Sequence, residues 1–192
     1  MNLKAGLTNF SDLQVVLNYA RQTVDDGSSE TTISGIGDTD IRLKLNLWGN
    51  DEGPNAFALM PFVTLPTHDD EFGTERDVGG GLIAPFAFDP GHGWSMAVMI
   101  EVDVARNAAD DGYAWTFLQS VTASHAITGD LGGFLELVNI ASNEVDADSE
   151  GYFDGGVTYG VNDDLQLDAG FNIGLTRASV DQRWFLGVSF RH

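Results

Sequence analysis

Four histidines, His68, His92, His125 and His192, are the side chains best suited to ligate a metal or shuttle protons near neutral pH. Their spacing fits neither task. A helical zinc site needs two histidines one turn apart, and a zinc finger needs cysteines, of which this chain has none. Ser124 and His125 stand side by side, but neighbours in an extended strand point to opposite faces and form no local nucleophile–base pair. No other grouping supplies an acid–base or nucleophilic centre, so the chain reads as a non-enzyme. The loop Asp146-Ala147-Asp148-Ser149-Glu150-Gly151 carries carboxylates at alternate positions and then glycine, as the first half of an EF-hand loop does. Val157 occupies the place of the closing bidentate carboxylate. Asp146, Asp148 and Glu150 are therefore a weak Ca2+ or Mg2+ candidate, against the plainer reading of a hydrated acidic loop. The same applies to His68-Asp69-Asp70-Glu71 and Asp110-Asp111, and no other cofactor is expected.

A second set of charges lies at alternate positions within apolar stretches: Arg42 and Lys44, Glu101 and Asp103, Asp168, Arg183 and Arg191. Residues two apart in a strand share one face, so these charges line one side of whatever sheet holds them. The sequence of 192 residues is 43% hydrophobic with a net charge of −20. That charge leaves no basic face for phosphates and excludes nucleic acid as a partner. The apolar content is too high for disorder. The length fits a single domain, 1–192.

Helical periodicity is nearly absent and strict alternation is common. Leu165, Leu167, Ala169, Phe171, Ile173 and Leu175 alternate with Gln166, Asp168, Gly170, Asn172 and Gly174. Ile41 to Leu47 and Trp94 to Val104 do the same. With less regular stretches at 2–7, 13–24, 56–65, 79–88, 113–127, 132–142, 151–160 and 183–192, about eleven strands are predicted. Many exceed the usual globular length of about five or six residues and reach the roughly 9–11 of a tilted membrane strand. Short turns near 8–12, 49–55, 89–93, 128–130 and 162–164 alternate with longer loops at 25–38, 66–78, 106–112, 143–151 and 177–182. Outer-membrane barrels show this alternation because one side has tight turns and the other long loops. Most acids fall in these connections. Pro61 and Pro85, which lack a ladder donor, are expected to mark bulges or local openings. Trp48, Trp94, Trp115, Trp184, Tyr19 and Tyr113 lie mostly near strand ends, where interfacial aromatic belts belong.

The chain ends on Arg183-Trp184-Phe185-Leu186-Gly187-Val188-Ser189-Phe190-Arg191-His192, with alternate apolar residues. This resembles the terminal strand by which outer-membrane proteins are recognised for insertion, with Gly187, Phe190 and His192 as its signal residues. His192 stands where an aromatic residue is usual. Further stretches resemble the outer-membrane family described as "putative MetA-pathway of phenol degradation", whose members are often labelled transporters. They are Gly37-Asp38-Thr39-Asp40 leading into Lys44-Leu45-Asn46-Leu47-Trp48-Gly49-Asn50-Asp51, then Pro61-Phe62-Val63-Thr64-Leu65-Pro66-Thr67, and Asp163-Asp164-Leu165-Gln166-Leu167-Asp168 with Gly170. The strand containing Glu136 and the terminal Phe185 to Arg191 complete the match.

The resemblance implies an antiparallel up-and-down transmembrane β-barrel in the outer membrane of a Gram-negative bacterium. Its partners would be the lipid bilayer, lipopolysaccharide, the barrel-assembly machinery and a small-molecule solute. Within such a barrel Arg42, Lys44, Glu101, Asp103, Asp168, Arg183 and Arg191 become candidates to line the lumen, either as a passage or as an ion-pair network that fills it. Bacterial barrels have an even strand number, and Met1-Asn2-Leu3-Lys4-Ala5-Gly6-Leu7 shows no secretory signal, so a barrel of about twelve strands lacking its leader and first strand is expected. Three functions remain open: a channel for small, aromatic or hydrophobic molecules; a non-conducting structural or surface-interaction barrel; and a soluble β-sandwich or calycin-like binding protein.

Overall fold

In the computed structural model, residues 1–25, 30–49, 53–69, 77–107, 109 and 112–191 are described. They form β1 (Asn2–Thr8), β2 (Ser11–Asp25), β3 (Glu30–Trp48), β4 (Asn55–Leu65), β5 (Gly79–Gly91), β6 (Trp94–Arg106), β7 (Tyr113–Thr128), β8 (Leu131–Ser142), β9 (Glu150–Asn162), β10 (Leu165–Gly174) and β11 (Gln182–Phe190). All eleven belong to one sheet in chain order, each antiparallel to the next. This is the all-β, up-and-down arrangement expected from the alternation.

The faces sort opposite to those of a water-soluble protein. Among the described residues the buried hydrophobic side chains are Ala58, Ile83 and Tyr152, whereas Gln14, Asp40, Ser120 and Asp154 are buried polar ones. Ile100, Val121, Leu135, Leu137, Leu186 and Val188 are exposed. The polar side is thus the enclosed, concave face and the apolar side the outer one. A soluble sandwich needs the reverse and a second sheet on the apolar side; the described strands form a single sheet. The thin interior supplies little hydrophobic stabilisation, and the apolar outer face offers the surface whose burial would supply it.

Register explains the irregularities. The β3–β4 partners run Arg42↔Phe62 and then Leu45↔Leu59, so the ladder lapses beside Pro61. The β4–β5 ladder lapses between Phe57↔Phe86 and Met60↔Ile83, the span containing Pro85. Both prolines mark local openings, without a bulge at either. The loop expected at 25–38 is a correction: β2 extends to Asp25 and β3 starts at Glu30. Gly37 lies at the bulge opposite Asn18, where an added Cβ would sit 3.2 Å from that of Asn18. A bulge at Leu17/Tyr19 absorbs the mismatch, and Asn18 donates to the Asp38 carbonyl at 2.9 Å.

Tight connections at 9–10, 92–93, 129–130 and 163–164, with 49–54, leave one end of the sheet, and those at 66–78, 107–112, 143–149 and 175–181 leave the other. At 92–93 both residues adopt positive φ, 60° for His92 and 77° for Gly93, the backbone of a type I′ hairpin. Trp48 and Trp94 lie at the tight-turn end and Tyr113, Trp115 and Trp184 at the loop end, all exposed. Two aromatic belts result. Tyr19 departs from them, being exposed in the middle of β2. Both outermost strands, β1 and β11, run in the same direction with one edge unpaired, because an odd number of alternating strands separates like from like.

A polar lumenal face with an aromatic panel

The strand register places inward-facing side chains in rows across the sheet. One row runs Lys4, Gln14, Arg42, Phe62, Gly81, Asp103, Thr116, Ser142, from β1 to β8. Within it the Arg42 guanidinium donates to Asp40 Oδ2 at 2.7 Å and lies 5.5 Å over the Phe62 ring. Thr64 Oγ1 donates to the other Asp40 oxygen at 2.9 Å. Asp40 is thereby held from both sides. Gly81 has no side chain because none fits: a Cβ there would lie 2.8 Å from both the Phe62 ring and Asp103 Oδ1. Asp38, Asp40, Asp77, Glu101 and Asp103, with Phe62 and Thr64, line a recess of about 250 Å³ rich in carboxylates, which Arg42 borders through its pair with Asp40. At its rim Arg106 pairs with Asp77 at 3.7 Å and His68 meets Asp38. Arg42 and the pair Glu101 and Asp103, predicted separately from two alternating segments, converge here.

A second group lies on β8–β11 and was not legible as a unit. Glu136, Asp154, Asn172 and Arg183 are successive cross-strand partners, and Phe134, Gly156, Gly170 and Phe185 form the next inward row toward the tight turns. Thr122 donates to Glu136 at 2.9 Å, which fixes Glu136 on the inward face. Arg183 donates to the Tyr152 hydroxyl at 2.9 Å and lies 5.0 Å over its ring. A Cβ on Gly156 would fall 2.7 Å from the Phe134 ring, and one on Gly170 would strike Phe185. Each phenyl ring therefore lies down on the bare backbone of a neighbouring strand. The two centroids are 6.5 Å apart with planes inclined by 30°. Asp168 follows in the next row, between Thr158 and Gly187.

The remaining candidates scatter. Lys44 faces inward opposite Asp12. Arg191 is a correction: it follows β11, is exposed, and donates to the Asp163 carbonyl at 2.8 Å, so it caps the tight-turn rim instead of lining the lumen. Asp146 and Asp148 are exposed, with Asp146 at φ 64°, while Glu150 starts β9 and accepts from Tyr152. The three carboxylates do not converge, and among the described residues no three His, Asp or Glu groups are arranged to hold a metal. Of the terminal-strand residues, Phe190 is exposed on the outer face and Gly187 sits inward, where a Cβ would collide with the Asp168 carboxylate. His192 lies outside the described residues.

A hollow antiparallel sheet with an apolar exterior, two aromatic belts and a polar concave face is a porin-like β-barrel. The chain belongs to the family described as "Putative MetA-pathway of phenol degradation", whose model matches residues 3–191. Among solved structures, the porin NanC in a rhombohedral crystal form is similar with a TM-score of 0.62 at 8% identity, over 100% of this chain and 97% of that one. That likeness establishes the fold alone. No curated protein matches the sequence significantly.

Proposed function

We propose that the protein is a non-enzymatic outer-membrane channel of a Gram-negative bacterium, passing small aromatic or hydrophobic molecules. The observation that carries this reading is the thinness of the interior: among the described residues no side chain is fully buried. A lumen plugged by ion pairs would bury its arginines completely, whereas Arg42 keeps 24% of its side chain exposed although it is paired with Asp40. The family's description supports an aromatic solute class. The interior phenyl rings Phe62, Phe134 and Phe185 beside hydrogen-bonding rows suit molecules that combine a ring with a polar group.

The test is refolding into lipid vesicles loaded with solute, followed by efflux and single-channel recording. The expected result is heat-modifiable gel mobility together with leakage of small solutes. Heat-modifiable mobility with sealed vesicles would establish the non-conducting alternative instead.

A further inference from the structure

We propose that Phe134, Phe185 and Asp154 form a lumenal binding subsite for a planar aromatic ring that carries a hydrogen-bond donor on its rim, a hydroxyl or an amino group. The proposal deepens the channel reading by naming where a solute pauses. Phe134 and Phe185 come from strands separated by β9 and β10, and the glycine pair Gly156↔Gly170 between them lets both rings lie against the wall. With one face on backbone, each ring turns its other face to the lumen, and both remain partly exposed. Two phenyl rings 6.5 Å apart, with planes inclined by 30°, make a panel on which a planar guest stacks with an offset.

The polar partner lies one inward step away. Asp154 is 8% exposed, yet its Oδ1 is buried without a hydrogen bond. Such an acceptor calls for a donor. The groups facing it favour one brought by a guest. Glu136, its partner on one side, is itself an acceptor, engaged by Thr122. Asn172, its partner on the other side, hydrogen-bonds to the same carboxylate and leaves Oδ1 without a donor, and Arg183, beyond Asn172 in the row, donates to Tyr152. A guest O–H or N–H reaching past the panel toward the loop end meets the narrow exposed part of the Asp154 carboxylate, and Oδ1 bonds to it once the guest uncovers that oxygen. A carboxylate-bearing ring would meet Glu136 and Asp154 instead and be repelled. Ser95, Ser124, Gly132 and Thr158, all small, line a recess of about 420 Å³ beside Phe134 at the tight-turn end, which leaves an approach to the panel.

The test uses the full chain folded in detergent micelles, with 19F resonances of 4-fluorophenol, 4-fluoroaniline, fluorobenzene and 4-fluorobenzoate followed against protein-free micelles. The first two are expected to bind saturably, and the last two at least about tenfold more weakly, as loss of a hydrogen bond to a charged group implies. Preference between the first two assigns the donor to oxygen or nitrogen. Cyclohexanol, a donor without a π face, is expected not to compete. Asp154→Ala should reduce 4-fluorophenol affinity to that of fluorobenzene, and Phe134→Leu with Phe185→Leu should weaken both; heat-modifiable mobility verifies that each variant is folded. Equal affinity for fluorobenzene and 4-fluorophenol, or binding unchanged in Asp154→Ala, would overturn the subsite. Conductance separates the two readings. Ring binding without conductance keeps the subsite and removes the channel, while conductance without ring binding does the opposite.

Discussion

Val121→Arg will prevent or severely impair folding into lipid vesicles, whereas Thr122→Arg, one residue along the same strand, will fold. Val121 is near the middle of β7, exposed on the outer face between Val98 and Leu137. A guanidinium there must enter hydrocarbon, at a cost of roughly 2–4 kcal/mol near the bilayer midplane. Set against the modest net stability of a folded chain, that is a large fraction. Thr122 points inward between Ala97 and Glu136, so an arginine at that position acquires a carboxylate neighbour. The measurement is the folded fraction by heat-modifiable mobility across a urea series. A water-soluble protein with its core on the other side of the sheet would show the opposite ranking.

Arg42→Ala is expected to lower stability by roughly 2–3 kcal/mol and to shift ion selectivity toward cations. The Arg42–Asp40 pair is mostly enclosed, with 24% and 10% of the side chains exposed, and the same recess holds Glu101 and Asp103. Removing one member of a buried pair costs about 3–5 kcal/mol, because it strands the other charge. Partial exposure of Arg42 to a hydrated lumen reduces that figure. Thr64 keeps its bond to Asp40 but cannot neutralise it. In Arg42→Leu/Asp40→Asn no charge is stranded, so the double variant should be more stable than Arg42→Ala. Urea unfolding gives the stabilities, and the reversal potential in a salt gradient gives the selectivity. An Arg42→Ala barrel as stable and as selective as the parent would show that the pair is a solvated ornament of the wall.

Strand identity was legible because alternation is a local property: Leu165 to Leu175 declares both its faces without reference to anything else. The start of β3 was not, since glycines such as Gly35 are turn-formers in isolation, and Gly35 is kept extended by its partner Ala20 on β2. The same limit applies to the lumen. Arg42, Glu101 and Asp103 announce an inward face, but that they share one recess depends on the relative register of β3 to β6. The Phe134–Phe185 panel was hidden more deeply. A phenylalanine in a membrane strand is read by default as lipid-facing, and only the cross-strand glycines Gly156 and Gly170 show where these rings lie. The unsatisfied oxygen of Asp154 depends on the packing of its cross-strand neighbours and has no signature in sequence.

The central claim, a lipid-facing apolar exterior around a water-filled polar lumen, is tested most directly by single-cysteine scanning, for which a chain without native cysteine is already suited. Val121, Thr122, Ala123 and Ser124 are replaced one at a time, each variant is refolded into vesicles, and a charged, membrane-impermeant maleimide is added. The account predicts labelling at 122 and 124, whose side chains face the lumen, and protection at 121 and 123, whose side chains face lipid. Labelling at 121 and 123 with protection at 122 and 124, or uniform labelling of all four, would contradict it.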